Sequence, residues 1–273
     1  MMHLSSPLSF KHTKPGQAIK PGTTLRILGV GDSITVGYLS DIDGGDGNGY
    51  RLKLRDDLSK DHVVFSGTET MNGTMPGGYF AAWSGMTIKF ISDHVGPSLQ
   101  QRPNIVLIHA GTNDMNPSPD VAREGSNPKE AADRLGYLID KVVNDCPDAT
   151  VLVGMIIGCH DEMQMRNISQ FRSFIPGVVQ TRQDAGKHVL AVDFSTFPMD
   201  ALRDGIHPTN PGYQLMGDYW YDFITQIPTN WIQQPIGDDP RRSDELRPTE
   251  PTEVVSVHWG QRLLGWVFGR TTK

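Results

Sequence analysis

The chain has 273 residues, which is enough for one large α/β domain with a full core. Apolar residues make up 37% and charged residues 21%, the balance of an ordinary soluble globular protein. The formal net charge of −6 gives no basic footprint, which argues against a nucleic-acid partner, and no apolar run reaches the roughly 18–20 residues of a transmembrane helix.

Apolar runs and helical patterns alternate along most of the chain. Residues 1–23 are predicted to form an irregular lead-in, 24–228 a single domain, and 229–273 a polar tail with an apolar end. In chain order, the predicted elements are a strand at 25–30, a helix at 50–60, a strand at 63–66, a helix at 86–99, a strand at 105–110, a helix at 128–144, a strand at 151–157, a helix at 167–185, a strand at 189–192 and a helix at 212–227.

The five predicted strands are continuous apolar runs, the pattern of a parallel sheet that is covered on both faces. Their alternation with helices predicts an α/β fold, namely a three-layer α/β/α sandwich of flavodoxin-like type with a five-stranded parallel sheet. In open sheets of this kind, ligands bind beyond the carboxyl ends of the strands. Ser33 follows the first strand and Asn113 the third, so the two residues can share one edge of the sheet.

The N-terminal residues and the cysteines bear on the cellular location. The stretch MMHLSSPLSFKHTKPGQAIKPG lacks the apolar core of about 7–15 residues that a signal peptide needs. We therefore expect a cytoplasmic protein as the chain stands, or a secreted one if a leader was removed. Cys146 and Cys159 flank one predicted strand, which at about 3.3 Å per residue holds them too far apart for a disulfide. Two free thiols are predicted.

A serine, a carboxylate and a histidine occur in an arrangement that suits acyl transfer. GDSIT at 31–35 contains Ser33, and DGIH at 204–207 contains Asp204 and His207 with two residues between them. That spacing lets one turn of chain carry both a general base and the carboxylate that orients it. GTND at 111–114 offers the amide of Asn113 as an oxyanion donor. These segments together predict a serine esterase.

The same motifs resemble the four blocks of the SGNH (GDSL-type) hydrolase superfamily, in the right order across residues 25–227. GDSIT is similar to the nucleophile block, Gly85 to the block-two glycine, GTND to the asparagine block and DGIHP to the Asp-x-x-His block. Tyr50-Arg51, the Ser-Gly-x-Thr-Ile form of block two and HAGTND look like the microbial carbohydrate esterase branch, which includes acetylxylan esterases. Members of that branch are usually secreted.

The resemblance implies a role for each matched residue. Ser33 would be the nucleophile, His207 the general base, and Asp204 the carboxylate that fixes the imidazole tautomer. The oxyanion hole would combine the backbone N–H groups of Ser33 and Gly85 with the side-chain amide of Asn113.

Two further residues are candidates for substrate binding. Asp32 precedes the nucleophile, but it can instead satisfy nearby backbone donors. Trp83 can line the acyl or sugar site, or it can pack in the core or in a loop. We expect no metal and no cofactor, because the loop at 41–49 lacks the spacing of calcium ligands and no second ligand cluster accompanies His160.

The preferred interpretation is therefore a hydrolase of short acyl esters, with acetyl groups on a carbohydrate as the expected substrate. A lipase-like, thioesterase or secondary-metabolite ester hydrolase of the same superfamily is the first alternative, and a non-catalytic binding protein on the same fold is the second. The apolar end of the tail, VVSVHWGQRLLGWVFGR, is expected to pack on the domain, although binding to a partner or to a membrane surface stays open.

Overall fold

A parallel β-sheet lies at the centre of residues 6–240, the part of the chain that the computed structural model describes. The strand order is β2-β1-β4-β5-β6, with the two-residue β3 paired to β1. With β3 set aside, the five longer strands follow the 2-1-3-4-5 order of flavodoxin-like sheets, so the predicted fold class is confirmed. The strands are β1 (Thr24–Gly31), β2 (His62–Ser66), β3 (Ala81–Ala82), β4 (Ile105–His109), β5 (Thr150–Met155) and β6 (Val189–Asp193).

Helices cover both faces of this sheet. The helices are α1 (Ser33–Val36), α2 (Arg51–Asp57), α3 (Ile88–His94), α4 (Gly96–Leu99), α5 (Pro128–Asp145), α6 (Glu162–Asp184) and α7 (Asn210–Thr225), with a 3-10 turn at Met199–Ala201. Buried side chains of α3, α5 and α6 pack on one face, and those of α2 and α7 on the other. Both faces of the sheet are thus apolar, which explains why β4 is buried along its whole length.

Three of the differences from the sequence-based elements have a local explanation. The helix predicted at 86–99 is two helices, α3 and α4, and Pro97 in the first turn of α4 cannot donate to the preceding turn. Helix α6 begins at Glu162, five residues before the predicted start at 167, because the Asp161 carboxylate accepts the N–H of Gln164 and caps it. Strand β3 was missed, since two residues carry no periodic pattern.

Irregular segments before and after the sandwich pack onto it. The fully buried carboxylate of Asp222 on α7 accepts the backbone N–H groups of Lys11 and Thr13 at 3.0 and 2.8 Å. The segment after α7 is held by Arg26 on β1. Its buried guanidinium donates to the backbone carbonyls of Ile236 and Gly237, both at 2.9 Å. The predicted domain boundaries stay a prediction, and the apolar end of the tail lies outside the described residues.

Both cysteines are buried free thiols, as predicted. Among the helices of residues 6–240, none is long and apolar enough to cross a membrane.

Candidate active site

Ser33 lies at the carboxyl edge of the sheet, two residues after the end of strand β1. The strand ends at Gly31, Asp32 caps the following helix, and Ser33 is the first residue of α1. A side chain at Gly31 is excluded, because its β-carbon would lie 2.3 Å from the backbone oxygen of His109 on β4. The close approach of β1 and β4 holds the turn in place, and Ser33 keeps a small exposed fraction of 7%.

Ser33, His207 and Asp204 form a continuous hydrogen-bonded line. The Oγ of Ser33 lies 2.8 Å from Nε2 of His207, although 174 positions separate the two residues in sequence. On the opposite side of the ring, Nδ1 of His207 lies 2.7 Å from Oδ2 of Asp204. With Nδ1 protonated, Nε2 is left as an acceptor for the Ser33 hydroxyl.

The Asp204 carboxylate is also bound to its own turn. Its Oδ1 accepts the backbone N–H groups of Ile206 and His207 at 3.0 and 2.8 Å. Partial burial opposes ionisation, but the hydrogen bonds from the His207 ring and from both backbone groups outweigh it and hold the pKa of Asp204 well below its usual range. The group therefore stays charged and keeps facing the imidazole.

Asp32 occupies a different environment from Asp204. Its side chain is fully buried, and Oδ1 accepts the N–H of Ile34 at 3.0 Å, so it caps α1 rather than facing solvent. Burial raises the pKa of Asp32 to about 6, and the Ile34 N–H, the Thr112 hydroxyl and the His207 ring offset only part of this effect.

We expect the substitution Asp32→Asn to change the pH dependence of stability. Because the pKa of Asp32 is raised in the fold, the native state holds a proton between about pH 4 and 6 that the unfolded chain releases, so this residue destabilises the fold as the pH rises. The neutral amide keeps an acceptor for Ile34 and removes that cost. We measure the free energy of unfolding in urea for both proteins at pH 4 and at pH 7.5. The advantage of Asp32→Asn over wild type should grow by on the order of 2–3 kcal/mol from the lower to the higher pH.

The exposed Asp120→Asn serves as the control for this measurement. An equal stability difference between Asp32→Asn and wild type at both pH values would contradict the prediction.

Two more segments meet Ser33 at this edge. The N–H of Trp83 donates to the Gly31 carbonyl at 3.2 Å, which ties the segment after β3 to the end of β1. The Nδ2 of Asn113, which follows β4, donates to the Met86 carbonyl at 2.9 Å. Gly85 lies between these two contacts, exposed and with a φ of +76°, a conformation that favours glycine. The structure thus brings Gly85 and Asn113 to the edge that carries Ser33.

Trp83 is half-buried. Its ring lies 5.9 Å from the ring centroids of both Phe90 and His94, and it packs against the core on the α3 side of the sheet.

The structure also places residues at the site that the sequence analysis did not assign. Arg51, buried at the start of α2, donates to the carbonyls of Thr35 and Val36 at 2.6 and 3.1 Å, so its guanidinium binds the last carbonyls of α1. Tyr38 follows Gly37, the C-cap of α1, and its ring centroid is 4.9 Å from that of His207. In the sequence, the one feature that marks Tyr38 is that an aromatic residue directly follows Gly37, the glycine that ends α1.

Ser33 and His207 are in contact at the carboxyl edge of a flavodoxin-like sheet, which is where open sheets of this kind bind ligands. Residues 30–215 match the GDSL-like lipase/acylhydrolase family, and the chain belongs to this family. The predicted resemblance to the SGNH hydrolases is thereby confirmed, and this region is a carboxylic ester hydrolase domain.

Several known proteins and solved structures are similar to this chain. A multidomain esterase from Ruminococcus flavefaciens is 26% identical over 296 aligned positions, which cover 95% of this chain and 34% of that protein. The structure of a family 3 carbohydrate esterase from Clostridium thermocellum is 27% identical with a TM-score of 0.60, over 74% of this chain and 97% of that one. A carbohydrate esterase family 3 structure from Talaromyces cellulolyticus shares the fold at 23% identity, with a TM-score of 0.60 over 74% and 97% of the two chains.

The curated relatives are longer than the matched region. The aligned part spans 51% of one relative and 34% of the other.

Proposed function

We propose that this protein is a serine esterase that removes short acyl groups, preferably acetyl, from a carbohydrate. The observation that carries the proposal is the line from Ser33 Oγ through the His207 ring to the Asp204 carboxylate, with contacts of 2.8 and 2.7 Å. The family membership and the similarity to carbohydrate esterases support the same reaction class and substrate.

The acylation step begins at the Ser33 hydroxyl. As Oγ attacks the ester carbonyl carbon, its proton passes to Nε2 of His207, and Asp204 stabilises the imidazolium that forms. The tetrahedral intermediate then collapses, the bond to the alcohol oxygen breaks, and His207 donates the proton to that oxygen. In the second half, His207 takes a proton from water, and the resulting attack on the acyl-enzyme releases the acid and restores Ser33.

The negative oxygen of the intermediate needs donors that are already in place. The N–H of Ser33 lies in the first turn of α1, where a helix offers no internal acceptor. Gly85 brings a second backbone N–H to the same edge. Asn113 uses one amide hydrogen for the Met86 carbonyl, and its second hydrogen is available for the oxyanion.

The substitution Asn113→Ala is expected to lower kcat by about 10²–10³. The amide acts on charge that develops only in the transition state, so KM should change much less than kcat. Steady-state kinetics on 4-nitrophenyl acetate measures both constants. The exposed Asn72→Ala provides the control, and a kcat for Asn113→Ala within about threefold of wild type would exclude this role.

The cavity beside Gly85 is small, which supports a short acyl group. Its volume is about 120 Å³, and its walls combine apolar side chains with charged ones, namely Met86, Phe90, Lys89, Asp93, Arg123 and Glu124. Acetyl has a single methyl group to bury, whereas each further methylene of a longer chain needs more of this space.

The test of the proposed function is hydrolysis of 4-nitrophenyl acetate, butyrate and octanoate, with acetylated xylan alongside. We expect activity on the acetate and the xylan, falling steeply with acyl length. A preference for octanoate would overturn the short-acyl assignment in favour of a lipase-like hydrolase. If no ester were hydrolysed by the wild type, the binding-protein alternative would replace the enzyme.

A further inference from the structure

We propose that Tyr38 is the residue that selects the alcohol half of the ester, and that its ring stacks on a ring-shaped polyol such as a pyranoside. This inference rests on the proposed function, since it assumes that His207 protonates a leaving alcohol. It is carried by three features of Tyr38: its contact with His207, the exposure of its ring and its fixed backbone.

Tyr38 forms one wall of the site beside the histidine. The centroids of the Tyr38 and His207 rings lie 4.9 Å apart, with an angle of 59° between the ring planes. Tyr38 is 45% exposed, whereas Ser33 is recessed at 7%, so the tyrosine ring rises at the rim of the site next to the base.

The backbone at Tyr38 is held by hydrogen bonds on both sides of the residue. The N–H of Tyr38 donates to the Ser33 carbonyl at 3.0 Å, and the hydroxyl of Tyr213 donates to the Tyr38 carbonyl at 2.8 Å. Both flanking residues, Gly37 and Leu39, have positive φ values of 92° and 64°. A positive φ is uncommon for leucine, and such conformations concentrate at functional sites. The backbone that carries the exposed aromatic ring is therefore fixed relative to Ser33 before any substrate binds.

Acid–base chemistry decides which half of the substrate meets Tyr38. The proton that His207 takes from Ser33 goes to the leaving oxygen, so that oxygen must come within hydrogen-bond distance of Nε2. The acyl carbon, in contrast, is bonded to Ser33 and its carbonyl oxygen points to Gly85 and Asn113. A group that packs against the His207 ring at the rim therefore contacts the alcohol and not the acyl chain.

The chemistry of the side chain favours a cyclic polyol. A flat, exposed aromatic face offers van der Waals contact to the C–H face of a sugar ring, while an open-chain alcohol covers less of it. The Tyr38 hydroxyl has no hydrogen-bond partner within residues 6–240, which leaves it available to a hydroxyl of the same sugar.

The test compares two acetate esters that differ only in the alcohol, a monoacetylated methyl β-xyloside and methyl acetate. The value of kcat/KM reports the steps up to acylation, and the acyl group is common to both substrates. The substitution Tyr38→Ala should lower the ratio of the two values, pyranoside over methyl acetate, by about tenfold, because methyl acetate is too small to reach the ring. Tyr38→Phe keeps the ring and should lower the ratio by less than about threefold.

Tyr137→Ala is the matched control, since Tyr137 is a 71% exposed tyrosine on α5, and it should leave the ratio unchanged. A Tyr38→Ala variant in which both kcat/KM values fall by the same factor would overturn the proposal, because Tyr38 would then act by positioning His207. The proposal would also be overturned if Tyr38→Ala changed neither kcat/KM value, or if the wild type hydrolysed methyl acetate but not the pyranoside acetate. Failure of the wild type on both esters would instead reject the proposed function.

Discussion

The substitution Ser33→Ala is expected to lower kcat on 4-nitrophenyl acetate by a factor on the order of 10⁵–10⁶. Without Oγ no acyl-enzyme can form, and the oxyanion donors alone cannot supply a nucleophile. The hydroxyl contacts His207 at 2.8 Å and its removal leaves the α1 backbone unchanged, so the fold should survive. Kinetics together with thermal unfolding measures both effects, and the Tm should shift by only a few degrees.

Ser169→Ala is a suitable control for this experiment. Ser169 is exposed on α6, and its hydroxyl donates to the Met165 carbonyl one turn earlier at 2.9 Å. It should keep wild-type activity. If Ser33→Ala retained more than about 1% of the wild-type kcat with an intact fold, another nucleophile would be operating.

The substitution Asp204→Asn should lower kcat by about 10³–10⁴. The amide oxygen can keep the two N–H groups of Ile206 and His207 that Oδ1 accepts now. The NH₂ group then faces Nδ1 of His207, which must become the acceptor. The ring proton moves to Nε2, and His207 can no longer take the proton of Ser33. Steady-state kinetics with the purified variant measures this loss.

A second readout separates this mechanism from simple unfolding. Because the pKa of Asp204 is lowered in the fold, its charge stabilises the native state above about pH 4 and this contribution disappears as the pH falls. Asp204→Asn should therefore be less stable than wild type at neutral pH and closer to it in acid. Asp200→Asn, in the exposed 3-10 turn nearby, should match wild type in both assays. A kcat for Asp204→Asn within tenfold of wild type would contradict the orienting role.

That Ser33 and Asn113 lie at the same edge of the sheet could be predicted from the sequence for a simple reason. Ser33 and Asn113 directly follow apolar runs that are strands, and the carboxyl ends of parallel strands meet at one edge. The contact between Asp204 and His207 could be predicted from their spacing alone, since one turn of chain brings Oδ2 of Asp204 to Nδ1 of His207.

Other contacts could not be predicted because they depend on tertiary packing. Tyr38 reaches His207 through a turn with two positive φ residues, one of them a leucine, for which the sequence gives no conformational preference. The sequence pattern places Arg51 at the start of an amphipathic helix and gives no sign of its burial. In the structure, its guanidinium is buried against the carbonyls of Thr35 and Val36, and it lies 4.4 Å from the centroid of the Phe80 ring. The burial of a cation can be predicted only when the positions of its hydrogen-bond acceptors in the fold are known.

The two carboxylates illustrate the same limit. The sequence separates the roles of Asp32 and Asp204 but not their pKa values: burial raises the pKa of Asp32 to about 6, while hydrogen bonds from His207 hold that of Asp204 low. Their opposite behaviour follows from solvent access and donors, which only the folded chain defines.

Covalent labelling of the 273-residue chain would decide whether Ser33 is the nucleophile. Diisopropyl fluorophosphate reacts with serine hydroxyls that a neighbouring base activates, and intact-mass and peptide-mapping mass spectrometry locate the adduct. We expect one adduct per chain on Ser33, none in Ser33→Ala, and much slower labelling in His207→Ala. A wild type that hydrolyses esters without an adduct on Ser33, or that carries the adduct on another residue, would contradict the assignment of the nucleophile.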